Sequence, residues 1–156
     1  MSEQLSGEQL AFWNAYLRSL SHAPPPAQLS ASIAGNEAIA DQLLALYLSG
    51  KKTAGSSLLP DYLHSGEDVP KVGNHWIILD SQEVPRCIVK TVRVANYRFA
   101  DVPDEVAIAE GEGDSSLEFW RQTHIEFFTP YLQQWGVTDL DEAELITEYY
   151  ELVFRQ

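Results

Sequence analysis

Cys87-Ile88-Val89-Lys90-Thr91-Val92-Arg93-Val94-Ala95-Asn96-Tyr97-Arg98-Phe99 is a long run rich in β-branched residues, and its reading decides the fold. Side chains that branch at Cβ suit a pleated, half-buried surface, so the run predicts a strand. Alternation places Ile88, Lys90, Val92 and Val94 on one face and Val89, Thr91, Arg93 and Ala95 on the other. Neither face is uniformly apolar, which fits a small curved barrel and not a parallel sheet covered on both sides. Upstream, Trp76-Ile77-Ile78-Leu79 reads as a buried strand, and Asp80 to Glu83 as the turn that pairs the two in a hairpin. Downstream, Leu145 to Phe154 reads as a closing strand. Its faces are Ile146, Glu148, Tyr150, Leu152 and Phe154 against Thr147, Tyr149, Glu151 and Val153.

Helical patterns flank these strands. Ser6 with Gln9 forms a capping-box signal ahead of Phe12, Trp13, Tyr16, Leu17 and Leu20 at helical spacing. Pro24-Pro25-Pro26 ends any helix there, and Ser21 to Ala34 reads as an extended connector. Asn36 offers an N-cap to a second helix, whose stripe of Ile39, Leu43, Leu44, Leu46 and Tyr47 runs to Gly50 at the C′ position. Short helices are expected at 56–64 and 104–109, and a longer one, capped by Asp114, from Ser115 to about Trp135 before Gly136. Helices, strands, helices, strand is the order of an α+β domain, here an incomplete antiparallel β-barrel completed by the last strand. Residues 1–35 are read as an N-terminal helix and connector packed on a domain of residues 36–156.

A chain of 156 residues with 45% hydrophobic content makes one ordinary domain with its own core. The single cysteine, Cys87, lies in an apolar run and is read as a small buried hydrophobe. No cationic leader and no membrane-length apolar run are visible, so the expected location is cytoplasmic and no membrane partner is expected. Twenty-three acidic against 10 basic side chains leave a formal charge of −13, which repels a polyanion and disfavours duplex DNA. The cations gather mid-chain at Lys51, Lys52, Arg86, Lys90, Arg93 and Arg98. Such a local basic region on an acidic protein suits a nucleoside, a nucleotide or a short unpaired RNA strand.

Two loops carry the chemistry. Gly50-Lys51-Lys52-Thr53-Ala54-Gly55-Ser56-Ser57 joins a helix end, two cations and three hydroxyls; read as the start of a helical segment, Thr53 to Ser57 would offer free N–H groups and hydroxyls to an anion. The competing reading is structural, since lysines at a helix C-terminus offset its dipole. Glu110-Gly111-Glu112-Gly113-Asp114 precedes a helix, where carboxylates stabilise by roughly 0.3–1 kcal/mol each. The flanking glycines go beyond what a cap needs and mark a functional loop. If Glu112 approaches Lys52, the carboxylate becomes a general base and the ammonium an electrostatic stabiliser. No close His and Cys pattern suggests zinc, and no cofactor is required; magnesium or manganese at Glu110, Glu112 and Asp114 is the alternative.

Gly50-Lys51-Lys52-Thr53-Ala54, Ser57-Leu58-Leu59, Tyr62, Gly66-Glu67, Pro70-Lys71-Val72-Gly73, Ile78-Leu79-Asp80, Glu110 to Leu117, and Trp120-Arg121 with His124 together closely resemble the ASCH domain family, from about Glu37 to Arg155. The resemblance implies a PUA-like β-barrel with flanking helices and RNA or nucleoside ligands. Members include RNA-associated proteins, some credited with ribonuclease activity, and amidohydrolases that deacylate a modified cytidine with a lysine, a threonine and a glutamate. The lysine matches Lys52 and the glutamate Glu112, with Glu110 a competitor; the threonine position holds Gly55, so Thr53, Ser56 or Ser57 would have to supply the hydroxyl. Tyr62, Trp120, Arg121 and His124 are expected to stack on a base or contact phosphate. Set against this, Trp120 also reads as core and His124 as a satisfied structural residue. The expected functions are RNA or nucleotide binding with ribonuclease activity, hydrolysis of an acylated nucleoside, or a non-catalytic interaction module.

Overall fold

The computed structural model describes residues 4–156. Its elements are α1 (Gly7–Arg18), β1 (Leu29–Ile33), α2 (Ala40–Ser49), β2 (Ala54–Leu58), α3 (Leu59–Ser65), β3 (His75–Leu79), β4 (Pro85–Arg98), α4 (Asp104–Glu110), α5 (Leu117–Phe128) and β5 (Glu144–Arg155). The strands form one sheet in the order β1-β3-β4-β5-β2. β3–β4, β4–β5 and β5–β2 pair antiparallel, whereas β1 lies parallel to β3. The class is α+β and the sheet curls as an incomplete barrel, but its edge strand makes it mixed, not wholly antiparallel.

That edge strand is the first correction, because the connector expected from Ser21 to Ala34 ends in β1. Sequence alternation alone is a weak signal over five residues. The second correction bears on function: Thr53 to Ser57 do not start a helix. Residues 54–58 are β2, paired with β5 from Ala54↔Tyr149 to Leu58↔Leu145, so the cluster of free N–H groups that a helix start would turn toward an anion is not formed.

Helix ends differ in instructive ways. α1 has the full Ser6–Gln9 capping box. Asn36 does not cap α2; its Oδ1 accepts from Ile39 N in the turn before it, and Ile39 is the N-cap. Asp114 likewise accepts from Ser116 N, while Ser116 caps α5 by accepting from Phe119 N. α5 stops at Phe128 and not near Trp135, because Pro130 has no N–H to continue the ladder and the chain tightens into a 3₁₀ turn. The even alternation expected along β4 also fails beyond Thr91, where a register shift leaves Val92 exposed.

The β3–β4 hairpin is buried on both faces. Ile77, Leu79 and Ile88 meet Phe12 and Tyr16 of α1, while Ile78, Cys87 and Val89 meet Leu43, Leu44 and Tyr47 of α2. Cys87 is fully enclosed, and burial pushes its thiol up to about 12. A third cluster, with Leu58, Phe99, Val106, Trp120, Phe128 and Leu145, packs α4 and α5 on the β2–β5 end of the sheet. Burying a large apolar side chain is worth about 1.5–3 kcal/mol, so these layers fix the loops at 50–53 and 110–113 firmly.

Candidate functional site

The two oppositely charged loops meet. α2 ends at Gly50 in the left-handed conformation, after which Lys52 N donates to Leu46 O at 3.0 Å and Thr53 N to Ala109 O at 2.7 Å. Gly111, also left-handed at φ 64°, closes α4 against the Lys51 backbone. The backbone contact brings the Lys52 side chain into the interior, where it is 4% exposed.

Its ammonium is bracketed by carboxylates, with Glu110 Oε1 at 3.2 Å and Glu112 Oε2 at 3.0 Å. Glu110 is the inner one, 2% exposed against 20% for Glu112, and every described contact holds it in place. Ser56 Oγ donates to its Oε2 at 2.7 Å and Trp120 Nε1 to the same oxygen at 2.6 Å. His124 Nε2 lies 3.4 Å from Oε1, while its Nδ1 meets Trp120 O at 2.8 Å and its ring stacks on the indole at 4.1 Å. Ser56 Oγ also shares a hydrogen bond of 2.7 Å with Thr147 Oγ1 on β5.

Burial alone would raise the Glu110 pKa, but the Lys52 charge, then His124, and the hydrogen bonds from His124 and Trp120 hold it well below the usual carboxylate range. Burial would correspondingly lower Lys52; Tyr47, Glu110 and Glu112 outweigh it and raise its pKa. Lys52 is therefore a fixed ammonium whose charge is already met by two carboxylates. It does not stand free to neutralise a phosphate.

Of the residues expected in the site, Lys52, Ser56, Glu110, Glu112, Trp120 and His124 converge. Trp120 offers no open ring for stacking, since it is 3% exposed and its N–H serves Glu110. Arg121 turns away: it donates to Phe99 O at 2.9 Å and to Asp141 at 3.1 Å, and its guanidinium lies 4.8 Å from the Phe99 ring. Asp114 is occupied with its own helix, Thr53 Oγ1 faces Ala109 O at 3.3 Å, and Lys51 is exposed beside the cluster. Ser57, in β2, and Tyr62, in α3, make no side-chain hydrogen bond to the cluster among the described residues. Among the described residues no group of three or more His, Cys, Asp or Glu side chains is arranged to hold a metal, and Glu110 and Asp114 have the partners just named.

Three neighbours escaped the sequence reading. Tyr47, assigned to the α2 stripe, has the Lys52 ammonium 5.5 Å from its ring centroid. A β-carbon on Gly55 would stand 3.3 Å from the Tyr47 hydroxyl oxygen and 3.6 Å from the Tyr150 ring, so the two tyrosines close off the space that a side chain at 55 would enter. Glu148, opposite Gly55 in the β2–β5 ladder, accepts from Thr91 Oγ1 at 2.8 Å. Its signal was a carboxylate in the middle of an otherwise apolar face of β5.

The ASCH domain family model matches residues 30–154. Among solved structures, an ASCH domain from Lactobacillus crispatus JV V101 is 27% identical, covers 97% of each chain and superposes with a TM-score of 0.88. Protein EF3133 from Enterococcus faecalis V583 is 28% identical over 92% of this chain and 86% of that one, with a TM-score of 0.78. The hypothetical protein PH0355, 16% identical with a TM-score of 0.54, shares the fold alone. No curated protein matches the chain. The family match spans most of the sequence and includes both charged loops: the chain belongs to the ASCH domain family.

Proposed function

We propose that this protein binds an unpaired RNA nucleotide, or the nucleoside alone, at the rim of the Lys52–Glu110–Glu112 cluster. The observation that carries the reading is the asymmetry of the two carboxylates about one buried ammonium. Glu110 is sealed behind it, and Glu112, 20% exposed, is presented to the outside. A fixed ammonium with one accessible carboxylate is suited to hold a ribose hydroxyl, because the carboxylate accepts its proton or hydrogen bond while the cation keeps the carboxylate in place. Phe119, 40% exposed, lines the same crevice as Glu112 and supplies a face on which a base stacks, worth about 1–3 kcal/mol. Lys51, exposed next to the cluster, takes the phosphate contact that Lys52 cannot.

Ribonuclease activity extends this reading. Glu112 would take the proton of a 2′-hydroxyl as its oxygen attacks the adjacent phosphorus, the bond to the 5′-oxygen breaks with that oxygen taking a proton from water, and Lys51 steadies the charge. Hydrolysis of an acylated nucleoside is favoured by one distance, Ser56 Oγ to Glu110 at 2.7 Å, which supplies the hydroxyl that Gly55 lacks. Against it, a carboxylate held at low pKa is a weak base for that hydroxyl.

Titrating a short unstructured RNA and its nucleosides into the protein, with Glu112→Gln and Phe119→Ala beside the wild type, tests the reading. Each variant is expected to bind about tenfold or more weakly, and RNA cleavage, where present, to fall about 10²-fold or more in Glu112→Gln. RNA and nucleoside binding unchanged in both variants would place the ligand elsewhere.

A further inference from the structure

His124 stands one helical turn beyond Trp120 on α5, 8% exposed, and its ring is held from two sides. The Trp120 indole stacks on it at 4.1 Å, and the Phe128 ring meets it edge to face at 5.6 Å. Each ring nitrogen faces an oxygen. Nδ1 lies 2.8 Å from Trp120 O, and Nε2 lies 3.4 Å from Glu110 Oε1. A peptide carbonyl and a carboxylate only accept, so a neutral imidazole, with one N–H and one lone pair, leaves one of the two contacts repulsive in either tautomer. Glu110 does not supply the missing hydrogen. Lys52 donates to the same Oε1, Ser56 and Trp120 donate to Oε2, and the carboxyl is held down to about 2.

We infer that His124 is an imidazolium, the second cation of the cluster, and a positioning residue that answers Glu110 so that the Lys52 ammonium holds Glu112 at the ligand rim. The part that concerns the ligand rests on the nucleotide reading above. The charges then balance, Lys52 and His124 against Glu110 and Glu112, where two carboxylates on one ammonium would leave an interior charge unmatched. Among the described residues Glu110 forms ion pairs with Lys52 and His124 alone. The charged groups around the ring are Glu110 at the end of α4, Glu112 in the loop after it and Lys52 ahead of β2. Trp120 and Phe128 of its own helix are uncharged, and the indole face favours a cation. Lys52 Nζ donates to Glu110 O at 3.5 Å, Glu110 Oε1 at 3.2 Å and Glu112 Oε2 at 3.0 Å, so its three N–H groups are all engaged. Loss of the imidazolium proton turns a lone pair toward Glu110 Oε1 and draws the ammonium inward, which loosens its hold on Glu112. Binding is thereby tied to one proton.

Proton–nitrogen NMR of the labelled whole protein reads the ring directly, with its signals assigned through the neighbouring Trp120 ring. Both nitrogens are expected to carry hydrogen at neutral pH. Affinity for a short unstructured RNA should fall about tenfold as rising pH strips that proton, over the same pH range as the NMR change. His124→Gln, which cannot be charged, should bind the RNA about tenfold more weakly than wild type at neutral pH and show a flat profile across that range. Glu110→Gln/His124→Gln, which leaves one ammonium facing one carboxylate, should recover most of the loss, whereas a packing role would make the two losses add. A ring nitrogen without hydrogen at neutral pH would overturn the imidazolium and leave the Lys52–Glu112 site standing. An imidazolium whose loss does not move RNA affinity, or a double variant no better than His124→Gln, would overturn the positioning role. Failure of wild type to bind the RNA at any pH would remove the ligand reading and the positioning role together, while the NMR spectrum still decides the charge. Near-UV circular dichroism identifies a variant that fails to fold, and the coincidence of the two wild-type pH profiles then decides in its place.

Discussion

Gly111 lies against the carbonyl of Lys51 so closely that a β-carbon would overlap the carbonyl oxygen, and the backbone there is left-handed at φ 64°. The contact is backbone to backbone, so no rotamer change relieves it. Gly111→Ala is therefore expected to destabilise the fold by about 2–4 kcal/mol through strain and loop displacement. Urea denaturation checks this. Gly136→Ala, also left-handed but with open space around it, is the control and should cost less.

Trp120 is tied to the site by one hydrogen bond. Trp120→Phe removes the indole N–H that Glu110 Oε2 accepts at 2.6 Å, together with some packing against Phe99. A loss of about 2–3 kcal/mol is expected, because the bond is to a charged group. Thermal unfolding with Phe99→Leu in parallel separates the hydrogen bond from the packing.

Acid should unfold the protein through Glu110. Its pKa in the fold lies below the ordinary carboxylate value, so its contribution is fully present above that value and drains away as pH falls through the folded pKa. Stability measured from pH 7 to pH 3 should decline steeply at the acid end. Glu110→Gln should flatten that decline and cost about 3 kcal/mol at pH 7, since it breaks a buried pair while keeping a carboxamide of the same shape. A parallel decline in wild type and variant would assign the acid lability elsewhere.

Glu148 carries the opposite sign. Its pKa is raised, so its contribution is full below the unfolded carboxylate pKa and is lost as pH rises through the folded one. Glu148→Gln should therefore unfold at a higher denaturant concentration than wild type at neutral pH. Equal or lower stability there would mean that the ionised group is well compensated.

Gly55→Thr tests whether position 55 accepts a side chain bearing a hydroxyl. Its side chain would enter within 3.3 Å of the Tyr47 hydroxyl, and a cost of about 1–3 kcal/mol is expected from overpacking. Deacylation of an acylated nucleoside by this variant alone would show that Tyr47 yields and that the position is catalytic.

Much of the domain could be read from the sequence because its signals are local. The capping box at Ser6, the stop at Gly50 and the β-branched run before Phe99 each depend on near neighbours, and each reappears at its place. What stayed hidden depends on pairing across the chain. β1 is a strand because β3 accepts it, and Ser56 lies in a strand because β5 lies beside it. The same holds in the site. Lys52 and the acidic loop announced themselves by charge, whereas Tyr47 and Glu148 were lost in apolar stripes whose curvature brings them together. Arg121 and Asp114 misled for the complementary reason, since a charged residue near a site has structural claims on it as well.

β5 lies between β2 and β4 and contributes Thr147 and Glu148, while α2 contributes Tyr47 at the other end of the sequence. The pairing is long-range, so it belongs to the late, slow part of folding. A nascent chain that has already buried its β3–β4 hairpin still lacks one wall of the cleft. If the cleft takes the ligand proposed above, its capture waits on the final zippering of the sheet, and binding would report a finished molecule, not merely a compact one.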